Sequence, residues 1–493
     1  MSRVIGVDVG TQSVKAILYC SDEHRVLAAG SSDLRLDQRD DGSAEQHPHA
    51  WIAATQSALQ QIPDKLRQSV CAIAVSGQQH GFVAVDANNQ VLTPAKLWCD
   101  TTTTVECNEI MSRAGGFDSC ITVAGNPILV GYTASKIAYL KKSAPDVYDR
   151  MDAILLPHDY LNLVLTGERT MECGDASGTG LLDIRSRTWS KTMLKAVDPD
   201  RDLEELLPDP AKEIRIIGEV TTMAAQHFGL PEGAPVTNGG GDNMMAAIGT
   251  GAVSPGNLTM SLGTSGTVFG HSDTPIIDDN GEIAAFCSST GSWMPLLCTM
   301  NCTVTTELLR DAMGMKLDAF ETAIAKAGAG AGGVTVVPFF NGERTPNLPH
   351  GRGSIMGLTG TNFTRENLLR AGAEGASFAL KFGVDRLAEL GLSTREITVT
   401  GGGSSSATWR QMIANICNKP VKVSAQSEGA AFGAALQALT ALDRKANVLD
   451  ITREHLTCDE SMSAWPKSEV VEQYLAQYHN YQRYVATLSP LYT

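Results

Sequence analysis

An α/β fold built from two related domains is predicted by three observations. Strand-like apolar runs alternate with helical patterns along the whole chain. A short hairpin signature occurs twice, as DVGTQS (8–13) and SLGTSG (261–266), with Gly10-Thr11 matching Gly263-Thr264. The offset, 263 minus 10, is 253 residues, close to half of the 493 in the chain. Two strand ends are also alike, IAVSG (73–77) and ITVTG (397–401). A repeat of this kind is a primary fold signal and implies duplicated domains, and at a prior of roughly 150 residues per domain the length suggests two or three domains. The predicted halves are 1–246 and 247–493.

Each element follows from its residues. VIGVDVG (4–10) reads as a strand entering a glycine turn, and VKAILYC (14–20) returns as its hairpin partner. HAWIAATQSALQQIPDKLRQ (49–68) has helical periodicity, and CAIAVSG (71–77) is a buried strand ending in glycine. ENLLRAGAEGASFALKFGVDRLAELG (366–391) is a long helix stopped by glycine, ahead of the strand EITVTGGG (396–403). AGAGAGG (327–333) lacks helix formers and reads as a loop or helix end. From about Val448 onward the chain reads as mixed helix and loop with little chemistry.

Composition narrows the functional class. With 43% hydrophobic and 19% charged residues the chain is an ordinary soluble globular protein. A net charge of -15 argues against nucleic acid or an anionic membrane as a general partner. Backbone amides and a metal can still bind nucleotide phosphates locally. The eleven cysteines are scattered with no CxxC pair, which fits reduced thiols in a cytosol better than a zinc site. MSRVIGVDVG enters a strand directly, without a secretory apolar segment, and no apolar run reaches membrane-spanning length. A cytoplasmic protein is the expectation.

Three glycine-rich turns carry chemistry. In GVDVGTQSVK (6–15), Asp8 ends a strand and Gly10, Thr11, Ser13 and Lys15 surround a tight turn. Small residues there let N–H groups and hydroxyls approach phosphate oxygens, and Asp8 could hold Mg2+ opposite them. This is neither a Walker A loop nor the Rossmann fingerprint. SLGTSG supplies Gly263, Thr264, Ser265 and Gly266 without a carboxylate, which suits a second loop facing the first across a cleft. TGGGSSSATWRQMIANI (400–416) ends a strand in three glycines and starts a helix near Ser406, leaving room for a flat base or ribose. A fourth stretch, VTNGGGDNMMAAIGTG (236–251), delivers Asp242 to the start of a small-residue helix. The residues alone leave Asp242 between an ordinary helix N-cap and a catalytic base.

Taken in order, these motifs resemble the FGGY carbohydrate kinases of the actin-like ATPase superfamily. The resemblance is carried by VIGVDVGTQSVKAIL (4–18), SGQQHG (76–81), LWCD (97–100), LLPHDYL (155–161), DASGTGLLD (175–183), GGGDN (239–243), SLGTSG (261–266), NGERTP (341–346) and GGGSSSATWRQM (401–412). It implies two duplicated actin-like (ribonuclease H-like) domains with an ATP and sugar cleft between them. It also implies that Asp8, Thr11 and Ser13 lie in the first phosphate loop, that Gly263, Thr264 and Ser265 lie in the second, and that Gly402 and Gly403 belong to the adenosine motif. Gln79 and His80 would meet the sugar hydroxyls, with Trp98 and Asp100 near the same pocket and Asn243 a further sugar contact. Asp242 would be the catalytic base, assisted by Asp8, and both would be candidate Mg2+ ligands. Gln79 and Cys99 depart from the residues common in the group most like this chain, which bears on the sugar and not on the reaction.

The implied reaction is phosphoryl transfer from ATP to a primary alcohol, D-xylulose to D-xylulose 5-phosphate, with D-ribulose or another pentulose or polyol as the alternative. Such transfer demands positioning and charge neutralisation more than covalent help. A carboxylate at Asp242, capping a helix that begins at Asn243, is expected to stay ionised through the helix dipole and to act as a modest base. A non-enzymatic actin-like sugar sensor is the reading of another class, and the presence of both Asp8 and Asp242 speaks against it. His47 and His49 (EQHPHAW) read as a loop-to-helix entry and not a metal pair. His158 reads as structural beside Asp159, and Glu343 with Arg344 as an ion pair holding a cleft loop. The expected partners are a sugar and ATP, with no nucleic acid and no membrane, and a homodimer is left open.

Overall fold

A computed structural model describes residues 2–492 except Ser427, Arg444 and Lys445. The first sheet is assembled from β1 (Arg3–Val9), β2 (Ser13–Cys20), β3 (Arg25–Asp33), β4 (Ala72–Gly77), β5 (Ile216–Glu219) and β6 (Pro235–Thr237), in the order β5-β6-β4-β1-β2-β3, with a short β7 (Gly240–Gly241) beside β4. The second contains β8 (Asn257–Leu262), β9 (Gly266–Gly270), β10 (Leu296–Thr299), β11 (Glu396–Thr400) and β12 (Val421–Val423), in the order β10-β9-β8-β11-β12.

The two sheets repeat one topology. β1 pairs antiparallel with β2 and parallel with β4, and β8 pairs antiparallel with β9 and parallel with β11. The repeated hairpin and the repeated strand end of the sequence therefore occupy equivalent places. Alternation of hydrophobic residues cannot mark these strands, because both faces are covered and the central runs are buried throughout.

Helices cover the sheets. α1 (Pro48–Gln60) opens with His47 as its N-cap, whose ring accepts from the His49 N–H. The predicted helix over 49–68 is broken at Pro63, where the chain restarts as a single turn over Asp64–Arg67. α2 (Thr133–Ser143), α3 (Pro157–Thr166) and α4 (Asp242–Thr250) follow. α5 (Arg365–Glu389) is the long helix expected over 366–391. α6 (Ala407–Cys417) is capped by Ser406, and the glycine-rich 329–333 stretch forms one irregular turn of 3-10 helix. α7 (Gly429–Leu442) crosses back to pack on β1, β4 and α4. The C-terminal α8 (Ser468–Leu488) buries Tyr474, Tyr478 and Tyr481 against the second core. All eleven cysteines are free thiols. Among the described residues, no helix is long and apolar enough to cross a membrane.

Candidate active site

Parallel pairing brings the acidic residues together. In register, Asp8 stands opposite Ser76 and Gly240 opposite Ser76 on its other side. β1, β4 and β7 therefore end side by side, and Asp242 follows one residue after the last of them. The carboxyl ends of parallel strands are where open α/β sheets place ligand groups. Asp8 accepts a 2.7 Å hydrogen bond from Ser76 Oγ, and burial raises its pKa against that bond and the Lys15 charge. Lys15 is itself paired with Glu428 at 2.6 Å.

Asp242 differs from its expected state. Gly241 is the N-cap and Asp242 the first helical residue, so the carboxylate does not cap the helix from outside. Burial, then the neighbouring charges of Asp8 and Asp175, push its pKa up to about 8. The expectation of a dipole-depressed carboxylate is thereby overturned. Its Oδ1 accepts from the Asn243 N–H (2.8 Å) and Asn243 Nδ2 (3.0 Å), and the same Nδ2 reaches Gln79 Oε1 at 2.9 Å.

The glycine triplet has a mechanical explanation. Gly239 has φ +66, and a Cβ there would lie 2.1 Å from the Val75 carbonyl oxygen. At Gly240 a Cβ would meet Ser289 Oγ at 2.3 Å, and at Gly241 it would meet Gln79 Cγ at 2.8 Å. The triplet is thus a close backbone passage between β4, the Ser289 loop and the Gln79 side chain. From α7, fully buried Gln437 accepts from the Gly239 N–H (2.9 Å) and Thr237 Oγ1 (2.7 Å) and donates to the Gly239 carbonyl (2.9 Å).

The first turn is tied to Trp98, Gln78 and Gln46 in one network. Trp98 Nε1 donates to Thr11 Oγ1 (3.0 Å), which donates to Gln78 Oε1 (3.1 Å). Gln46 Nε2 donates to the Thr11 carbonyl at 2.7 Å. Ser13 pairs with Asp33 in the β2–β3 ladder. Gln79 Nε2 is buried without a hydrogen-bond partner. The His80 ring lies between Tyr132 (5.1 Å) and Phe286 (5.8 Å), on the Gly178 backbone, and burial holds it neutral with help from the Lys136 and Arg344 charges. Asp100 is fully buried with both oxygens occupied, by Lys96 Nζ, the Ala44 and Thr102 N–H groups and the Thr102 hydroxyl. It braces the 97–102 loop and presents no oxygen to a ligand.

The second turn is anchored from behind. The Gly263 and Thr264 carbonyls accept from the N–H groups of Thr303 (2.8 Å) and Cys302 (2.9 Å), while Thr264 is exposed and Ser265 half-buried at the tip. Beside it, a Cβ on Gly401 would lie 2.8 Å from the Leu262 carbonyl and 3.0 Å from the Gly263 nitrogen. A Cβ on Gly402 would enter open space, whereas Gly403 packs on Leu262. Of the three glycines, Gly401 alone has a left-handed backbone (φ +83), and a Cβ on Gly403 would come 2.8 Å from the Leu262 Cβ.

Several participants were not singled out from the sequence. Ser76 and Asp175 open the motifs SGQQHG and DASGTGLLD, which by themselves assign them no role, and Gln437 lies in no motif, because each acts through a partner far along the chain. His158, read as structural, is fully buried between Asp175 (3.0 Å) and Asp159 (2.9 Å). The two carboxylates outweigh burial and raise its pKa well above the usual range. Glu343 does not pair with the Arg344 guanidinium. Its carboxylate instead accepts from the Met300 and Arg344 N–H groups and Asn301 Nδ2.

The acidic turn and the Asp242 loop stand at the carboxyl ends of neighbouring strands, and a second glycine turn repeats the first in a sheet of the same topology. Residues 3–249 match the FGGY family of carbohydrate kinases, N-terminal domain, and residues 258–442 match its C-terminal domain. The chain belongs to the FGGY family of carbohydrate kinases. It is 40% identical to a xylulose kinase of Haemophilus influenzae over 495 residues, 99% of this chain and all of that one. It is 32% identical to a xylulose kinase of Escherichia coli, covering 91% of this chain and 92% of the other. Among solved structures, the xylulose kinase of Rhodospirillum rubrum superposes with a TM-score of 0.89 at 25% identity, with 99% of both chains covered.

Proposed function

We propose that this sugar kinase transfers the terminal phosphoryl group of ATP to the primary hydroxyl of D-xylulose, giving D-xylulose 5-phosphate. The sugar is supported by full-length relatives that carry the name xylulose kinase, one of them 40% identical. The observation that carries the mechanism is Asp242, half-buried near Asp8 and joined through Asn243 to Gln79. With its pKa raised to about 8, Asp242 is a stronger base than an ordinary carboxylate and is matched to neutral pH. It accepts the hydroxyl proton as the new P–O bond forms and the bond to the ADP oxygen breaks.

Gln79, His80 and Asn243 orient the sugar, with Trp98 bordering it, and Asp100 acts only through the loop it braces. Thr11 and Ser13 from residues 1–246, and Gly263, Thr264 and Ser265 from residues 247–493, hold the phosphates between them. Gly402 and Gly403 flank the adenosine. Among the described residues no three side chains form a closed metal cage. Two neighbouring carboxyl groups, with the nearby lysine already paired, fit a magnesium ion. Asp8 would hold it and the ion would neutralise charge on the phosphates, leaving Asp242 beside it to accept the hydroxyl proton.

The test is ADP release with Mg-ATP across D-xylulose, D-ribulose, L-ribulose, glycerol and gluconate. The highest kcat/KM is expected for D-xylulose, and a higher value for another sugar would reassign the substrate. Asp242→Asn is expected to lower kcat by about 10²- to 10⁴-fold, the usual worth of a general base. Binding of sugar and ATP, read by calorimetry, should survive. Substantial turnover in that variant would remove Asp242 from the base role.

A further inference from the structure

Lys136, on the first turn of α2, is one of the largest fully buried side chains in the molecule. Lysine is almost never fully buried unless a carboxylate pairs with it. Here Nζ donates instead to two backbone carbonyls, His80 at 2.7 Å and Gly131 at 2.6 Å. Asp100, whose charge acts on Lys136, is already taken by Lys96 and the backbone. Thr133 Oγ1 adds a second donor to the His80 carbonyl at 3.2 Å.

The residue so held has an unusual backbone. His80 has φ +65, a left-handed conformation that a non-glycine residue resists by about 1 kcal/mol or more. That reversal turns the imidazole onto Tyr132 and Phe286 while Gln79, one residue earlier, faces Asn243. Gly131, the other ligand of Lys136, lies against the loop that carries Trp98, where a Cβ would come 2.4 Å from the Trp98 carbonyl. One amine therefore joins the segments that bear Gln79, His80 and Trp98.

We propose that Lys136 is a positioning residue of the sugar site, clamping the His80 carbonyl so that the strained 79–80 loop presents its side chains to the substrate. The proposal rests on the reading of Gln79 and His80 as sugar contacts. A clamp of this kind does not require a charge. Burial pushes the Lys136 pKa down to about 7, and a neutral amine still offers two N–H groups to two carbonyls.

The experiment measures KM for D-xylulose and for ATP, kcat and the unfolding midpoint in Lys136→Met, Lys136→Ala and His80→Ala. Lys136→Met is expected to raise the sugar KM at least tenfold while the ATP KM stays within twofold. In Lys136→Ala, n-propylamine is expected to restore the sugar KM, whereas n-propanol of the same shape is not. An unchanged sugar KM in Lys136→Met beside a raised one in His80→Ala would overturn the clamp and leave the sugar reading intact. Equal loss for sugar and ATP, or rescue by the alcohol as well as the amine, would make Lys136 a packing residue. An unchanged sugar KM in His80→Ala would remove the sugar reading and the clamp with it. Should Lys136→Met not fold, Lys136→Leu, which likewise lacks a donor, is read in the same way. Failure of both to fold would assign Lys136 to the fold alone.

Discussion

Asp242 and Lys136 carry the same physics with opposite sign. A helix N-terminus favours an adjacent carboxylate by about 0.3–1 kcal/mol, less than one pKa unit. The displacement of Asp242 from 3.8 to about 8 runs the other way and is several times larger, because burial beside Asp8 and Asp175 penalises the charged form. For Lys136, burial favours the neutral amine, while the charges of Asp100, Cys99 and Cys107 oppose that and Lys96 assists it. The consequence for stability has a definite direction. Between about 7 and 10.5 the unfolded chain holds a proton at Lys136 that the folded chain has released, so stability rises with pH in that window. Lys136→Met lacks the group. The stability gap between wild type and this variant, read by urea unfolding at pH 7, 8 and 9, is therefore expected to widen in favour of wild type. The slope is about 1.4 kcal/mol per pH unit. A flat gap would mean that the ammonium is not desolvated as described.

At the scale of elements, α4 and α7 pack backbone against backbone. A Cβ on Gly433 would fall 1.7 Å from the Met245 carbonyl oxygen, and one on Gly249 would fall 2.0 Å from that of Gly429. On the other side of α7, Gly6 of β1 leaves only 1.9 Å to the Ala431 carbonyl. The small residues of GAAFGAAL are there so that backbone meets backbone. Gly433→Ala cannot be absorbed by a rotamer change, and it should cost about 1–3 kcal/mol or more, seen as a lowered urea midpoint. The same helix delivers Gln437 to the glycine triplet. Gln437→Leu strands the Gly239 N–H and carbonyl, each at about 1–3 kcal/mol. A wild-type midpoint in that variant would show that another group or water replaces the amide. In the sequence, α7 reads only as a small-residue apolar helix. Its partners lie some two hundred residues away or more, at positions no local pattern connects to it.

Across the whole molecule, the function proposed here has the two turns and the carboxylates share one cleft with walls from both halves of the chain. Ligands that bind only this folded arrangement must stabilise it, by about 2.7 kcal/mol at a hundred times Kd for each site. With Asp242→Asn preventing turnover, D-xylulose and Mg-ATP together are expected to raise the unfolding temperature above the value with either alone. No rise with both present would contradict a shared cleft. The sequence by itself determined the α/β class, the repeated hairpin and strand end, and the acidic and glycine turns, because these depend on local propensity and on residue types that few other structures require. Only the tertiary structure decided what each group experiences. It set Asp242 beside Asp8 and Asp175, occupied Asp100 from within, turned Glu343 to the backbone and placed Lys136 under His80. Charge state and hydrogen-bond partner are properties of the surroundings, and burial among residues distant in the chain is written in no short stretch of it.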